Sequence, residues 1–157
     1  MLQRGADHVF CLDVGTNQLA WKIRNDDRVT AREKFNARHL VPADLDETSI
    51  DLIVIDVSFI SLTKILPAAF SVLKPNGQIV CLIKPQFELA RDEVGKGGIV
   101  RDDDLRQRAV TRIREFVTVA PHDHEWRGLV PSPITGTDGN QEYLAWIGLV
   151  ARTENVE

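Results

Sequence analysis

The stretch Asp51-Leu52-Ile53-Val54-Ile55-Asp56-Val57 is an apolar, β-prone run with an aspartate at either side of its core. Its hydrophobicity is continuous rather than alternating, which is the pattern of a strand covered on both faces in a parallel sheet. Parallel neighbours need crossover connections, so helices must flank the run, and the fold class that follows is α/β.

Reading downstream, Ile65, Leu66, Ala69, Phe70 and Leu73 mark one face of a helix that stops at Lys74-Pro75-Asn76-Gly77, with Pro67 either kinking it or marking its start. A second buried strand, residues 78–83, runs straight into Lys84-Pro85-Gln86-Phe87-Glu88. Gly95-Lys96-Gly97-Gly98 is a loop with enough glycine to be mobile. A helix over about 103–119 follows, with Leu105, Ala109, Ile113 and Phe116 on one stripe, and strands over about 125–130 and 142–150 flank a turn-rich loop at 131–140. Upstream, residues 8–13 read as a buried strand, 18–24 as a short helix packed through Leu19, Ile23 and Trp21, and 29–34 as a short strand. The expectation is one domain over 1–157 built on an open, mostly parallel sheet with one antiparallel strand near the end.

Composition narrows the function classes. The 157 residues are 43% apolar, enough for one core, and no apolar run reaches the roughly 18 residues of a membrane span. The opening residues lack the apolar segment of a secretory signal, so the expected compartment is the cytoplasm. Cys11 and Cys81 sit in apolar stretches and read as small hydrophobes, while His122 and His124 lack a third ligand nearby and read as surface residues, so no metal site is expected. The net charge of −4 offers no overall attraction for a polyanion, so any nucleic-acid role must rest on local residues or on a further domain.

Open α/β sheets bind ligands at the carboxyl ends of their strands. Three charged residues directly follow apolar runs: Asp13, Asp56 and Lys84. A carboxylate at Asp13 suits the two hydroxyls of a nucleoside ribose, or merely opens the turn at Gly15. Asp56 and Lys84 would be delivered into one cleft, where an ammonium beside a carboxylate can hold an alcohol for attack and a desolvated lysine can take its proton. The alternative is a structural ion pair at the sheet edge.

Longer strings carry a family resemblance. Val54-Ile55-Asp56-Val57-Ser58-Phe59-Ile60-Ser61-Leu62, Leu82 through Glu88, Val94 through Asp102, Ser132 through Gly136 and Gly139 through Tyr143 together resemble the TlyA/hemolysin A group of FtsJ-like RNA methyltransferases. Upstream, Leu2-Gln3-Arg4-Gly5-Ala6, Leu12-Asp13-Val14-Gly15 and Asn36-Ala37-Arg38 continue the match, so the resemblance spans nearly the whole chain. It implies a Rossmann-like, S-adenosylmethionine-dependent fold and methyl transfer to a ribose 2′-hydroxyl of ribosomal RNA.

Of the Lys-Asp-Lys-Glu set that the resemblance implies, Asp56, Lys84 and Glu142 have counterparts here and the first lysine has none. Lys84 is the implied base or hydroxyl-orienting group, Asp56 the residue that holds it and the methyl-donor end, and Glu142 the residue orienting it from the last strand, unless Glu142 simply faces solvent. Asp13 and Asn36 are the implied contacts to the cofactor's ribose and adenine. Lys96 either touches RNA phosphate or is solvated. Relatives of this kind begin with a small RNA-binding domain, a first strand and a glycine-rich loop, and the expectation is that these lie outside the chain, leaving a gap between residues 8–13 and 51–57. Cofactor and RNA binding by the chain alone are then expected to be weak. Two other readings are a non-catalytic interaction module on the same fold and a pore-forming lytic protein, the latter without an evident membrane-inserting segment.

Overall fold

The computed structural model describes residues 1–119, 124–136 and 138–149. Among the described residues six strands form two sheets. Strands β1 (Val9–Leu12) and β2 (Val29–Arg32) pair in parallel, with α1 (Trp21–Arg24) between them in the chain. The larger sheet has the order β3 (Ile50–Ile55), β4 (Leu73–Ile83), β6 (Tyr143–Leu149), β5 (His124–Pro131). Strands β3 and β4 are parallel, and β6 runs antiparallel to both its neighbours, so it is the one reversed strand that the sequence leads one to expect.

Alternation along β4 places Ile79, Cys81 and Ile83 in the core beside Ala145 and Ile147 of β6. Helix α2 (Leu66–Ser71) and the 17-residue α4 (Asp103–Val119) cover that face, α4 through Ala109, Val110, Ile113 and Val117. Each such aliphatic side chain contributes roughly 1.5 to 3 kcal/mol by leaving water. Pro67 sits in the first turn of α2, where a missing N–H costs nothing, so it starts the helix instead of kinking it.

Four expectations are corrected. The run at 51–57 is not covered on both faces: β3 is an edge strand, and Leu52 and Val54 are 38% and 56% exposed. The helix expected to run to Leu73 ends at Ser71, and β4 begins at Leu73, with a register shift opposite Ile50 and Leu52 that absorbs Pro75-Asn76-Gly77. The segment 18–24 is helical only over Trp21–Arg24, and Trp21 and Ile23 are exposed instead of packed. His124 is half-buried on β5 with its ring stacked on Phe70; its neighbour His122 and the expected strand end at Val150 lie outside the described residues.

Both cysteines are free, Cys81 fully buried and Cys11 partly so. Burial pushes the Cys81 thiol up to about 12, which makes it inert. The two sheets meet through a small cluster in which Phe10, Leu12 and Phe35 pack against Leu40, Leu45, Ala68 and Val72. No helix among the described residues is long and apolar enough to cross a membrane.

Candidate active site

Parallel pairing of β3 with β4, in the register Ile55 to Cys81, brings the carboxyl ends of both strands to one edge. The next residues out are Asp56 and Lys84, and their side chains meet: Nζ of Lys84 lies 2.8 Å from Oδ1 of Asp56 and donates to Oγ of Ser58 at 3.1 Å. The pair is asymmetric. The lysine side chain is 14% exposed and the aspartate 66%, so the ammonium is held in the wall while the carboxylate opens outward. An ion pair of this exposure adds little stability by itself, which leaves its position as the informative property.

Lys84 also heads the short helix α3 (Pro85–Glu88), in which Pro85 sets the first turn. At the other end of α3, the buried Glu88 carboxylate accepts from the Ser61 hydroxyl and from the Leu62 N–H, at 2.5 and 2.8 Å. Arg112 of α4 donates to the Glu88 carbonyl. The segments that follow β3 and β4 are thereby fastened to each other and to α4. Desolvation raises the Glu88 carboxyl above its ordinary range, against the opposing pull of the Ser61 and Leu62 hydrogen bonds and the Arg112 charge. Between the two fastenings, Phe59 stands 92% exposed at a φ of 63°, with its ring 5.2 Å from that of Phe87. A left-handed phenylalanine costs about 1 to 2 kcal/mol, strain of the kind that collects at functional sites.

Glu142 precedes β6. Since Tyr143 pairs with Ile83, Glu142 comes level with Lys84, and it is 5% exposed rather than facing solvent. Its carboxylate lies against Gly136, where a Cβ would fall 2.6 Å from Oε1. Among the described residues Lys84 forms its ion pair with Asp56 and none with Glu142. The structure thus joins two of the three expected catalytic residues and sets the third beside them on the adjoining strand.

Asp13 and Asn36 lie together at the end of the small sheet, linked by the hydrogen bond from Phe35 N–H to the Asp13 carbonyl. Each also has a local duty: Asp13 accepts from the Gly15 N–H at 2.7 Å, and Asn36 caps the turn Ala37–His39. Their chain neighbours Leu12 and Ala37 share one cavity wall with Asp56 and Val57, in a cleft of about 240 Å³ between the two sheets. The cleft is lined mostly by apolar side chains, with Asp56 as the one carboxylate among its lining residues. The described residues contain no group of three or more His, Cys, Asp or Glu side chains placed to hold a metal ion.

Two residues of the site were not singled out from the sequence. Glu88 is recognisable only as an acid inside an apolar-flanked string, and Asn140 as one polar residue in a loop rich in them. Asn140 is fully buried, accepts from the Val100 N–H and donates to the Gly98 carbonyl, so it anchors the 95–98 loop to the turn before Glu142.

A lysine–aspartate pair at the carboxyl edge of the parallel strands β3 and β4, with a mostly apolar cleft beside Asp56, defines the class of open-sheet α/β folds that bind ligands at strand ends. Within that class the family model for FtsJ-like methyltransferases matches residues 1–149, and the chain belongs to this family. It is 46% identical over 143 residues to YqxC of Bacillus subtilis, provisionally named an rRNA methyltransferase, covering 91% of this chain and 50% of YqxC. It is 44% identical over 148 residues to the 16S/23S rRNA (cytidine-2′-O)-methyltransferase TlyA of Mycobacterium tuberculosis, covering 94% of this chain and 54% of TlyA. A solved structure from Streptococcus thermophilus, provisionally named a hemolysin, superposes with a TM-score of 0.89 at 44% identity, over 96% of this chain and 54% of that one. The chain therefore spans about half the length of the curated relatives it matches.

Proposed function

We propose that the chain carries the methyl-transfer centre of an S-adenosylmethionine-dependent ribosomal RNA 2′-O-methyltransferase, working in the cytoplasm as part of a longer polypeptide that includes the RNA-binding region. The observation that carries this reading is the Asp56–Lys84 pair at the joined ends of β3 and β4. S-adenosylmethionine, when bound, supplies an electrophilic methyl group on a positively charged sulfur. Asp13 and Asn36 are the residues that would hold its ribose and adenine, and Asp56 the residue nearest its methyl-donor end.

The chemistry left to the protein is alignment and proton removal, because a ribose hydroxyl is a poor acid and attack on the methyl must be in line. Lys84 is the base or hydroxyl-orienting group: it directs the 2′-oxygen at the methyl or receives the hydroxyl proton as the methyl is transferred. Asp56 orients the lysine and stabilises the ammonium that forms. Glu142, level with Lys84 on the neighbouring strand, keeps the amine directed at the acceptor and is the second carboxylate available to the ammonium after transfer. The TlyA relative, which acts on cytidine 2′-oxygens by its name, supports ribosomal RNA as the substrate class.

The test replaces the 148 matching residues of Mycobacterium tuberculosis TlyA with this chain and follows labelled methyl transfer to ribosomal RNA. The chimera should transfer methyl groups, and Lys84→Ala should abolish transfer; an inactive folded chimera, or an active Lys84→Ala form, contradicts the reading.

A further inference from the structure

Lys84 has a second partner to which the methyl-transfer reading gives no task. Its Nζ donates to Oγ of Ser58 at 3.1 Å, and the same segment supplies Asp56 at 2.8 Å. Side chains two residues apart on an extended chain point the same way, and burial follows that alternation. Val57 packs against the core of the larger sheet, while Asp56 and Ser58 on either side of it are exposed. Phe59, at its left-handed φ of 63°, breaks the extended run directly after Ser58. The segment is held at both ends, by the pairing of Ile55 with Cys81 and by the contacts of Ser61 and Leu62 with Glu88.

A serine in such a bend commonly turns its hydroxyl onto a nearby backbone N–H, as Ser61 does with Thr63. Ser58 does not: among the described residues its hydroxyl bonds to Lys84 and to no backbone group. The lysine side chain is only 14% exposed, so its stem is fixed in the wall and what is left to direct is the amine at its tip. An ammonium carries three N–H groups. Asp56 and Ser58 engage it from one segment, which leaves a further direction for another partner. A carboxylate only accepts, so Asp56 holds the charged amine best, whereas a hydroxyl accepts from an ammonium and donates to a neutral amine.

We propose that Ser58 is a positioning residue for the reaction at Lys84: its hydroxyl fixes the direction of the amine, with or without the proton, so that the remaining side of the amine faces the acceptor 2′-oxygen. This role rests on the methyl-transfer reading and goes to a residue outside the Lys-Asp-Lys-Glu set. Ser58 acts through Lys84 and not on the RNA, so its loss is felt in the transition state and not in the binding of RNA or cofactor.

The experiment measures steady-state kinetics of the chimera with Mycobacterium tuberculosis TlyA, as Ser58→Ala and Ser58→Thr, varying ribosomal RNA and S-adenosylmethionine in turn. Ser58→Ala should lower kcat about tenfold or more with both KM values within about twofold of the parent. Ser58→Thr keeps the hydroxyl and should restore kcat to within about threefold. Because Ser58 is exposed, both variants should melt within about 2 °C of the parent. An unchanged kcat in Ser58→Ala, a loss confined to KM, or an equal loss in the alanine and threonine forms would each overturn the proposal. A larger drop in melting temperature would make the hydroxyl structural and overturn it as well. Lys84→Ala in the same assay separates the two levels: a chimera that needs Lys84 and not Ser58 overturns the role of Ser58 alone, and one that needs neither overturns the methyl-transfer reading with it.

Discussion

Oε2 of Glu88 accepts the Ser61 hydroxyl at 2.5 Å while Oε1 accepts the Leu62 N–H at 2.8 Å, so one buried carboxylate holds the segment after β3 against the turn after β4. The β3–β4 register brings Asp56 and Lys84 together, and the Glu88 contacts fasten the segments that follow them.

Glu88 gives a pH dependence of definite sign. Its carboxyl is raised above its ordinary 4.5 by desolvation, so between that value and the raised one the native state binds more protons than the unfolded state. Stability from this group therefore falls as pH rises through the window, and is indifferent to pH below it. Glu88→Gln keeps one acceptor and removes the ionisation, so its stability relative to wild type should improve as pH rises from below 4.5 and then level off. Urea unfolding from acid to neutral pH measures the difference; a gap that stays flat, or narrows in the other direction, contradicts the assignment.

Asn140→Ala strands the buried Val100 N–H and removes the donor to the carbonyl of the exposed Gly98. The expected loss is about 1 to 3 kcal/mol. Limited proteolysis should then cut within 95–98 well before the rest of the chain, and equal resistance in wild type and variant would show that the loop has another anchor.

Gly136→Ala places a methyl group 2.6 Å from Oε1 of Glu142, so the carboxylate must move. The cost expected of overpacking is about 1 to 3 kcal/mol, and most of it should disappear when Glu142→Ala is already present, because the clashing atoms are gone. A double-mutant cycle in denaturant reads this coupling. Additive effects would place the Glu142 carboxylate elsewhere.

Asp56→Asn removes the charge that faces the Lys84 ammonium while keeping nearly the same shape. The partly exposed pair makes little contribution to folding, so stability should change by less than about 1 kcal/mol. Methyl transfer by the chimera should fall by about 100-fold or more, as for loss of a group that positions a proton-transfer residue. A large loss of stability with activity retained would make the pair structural.

How much was legible in the sequence varies with the range of the forces involved. The strand at 50–55, the strand ending at Ile83 and the stripe of α4 are written in local hydrophobic spacing, and Asp56 and Lys84 stand out as charges that directly follow apolar runs. Glu88 and Asn140 were not visible, because their partners lie 26 and 40 residues away along the chain. The exposure of Leu52 and Val54 was misjudged for a related reason: continuous hydrophobicity records a strand that is suited to burial, and says nothing of which neighbours are present to bury it. The early start of β4 escaped because Pro75-Asn76-Gly77 reads as a turn, and a register shift beside β3 absorbs it.

The most direct test of methyl transfer at Lys84 is the identity of the product. Ribosomal RNA treated with the TlyA chimera is digested to nucleosides and analysed by mass spectrometry, beside RNA treated with its Lys84→Met form. Ribose-methylated nucleoside in the first and none in the second is the predicted result. Methyl on a base, or ribose methylation that survives the loss of the amine, would contradict the account.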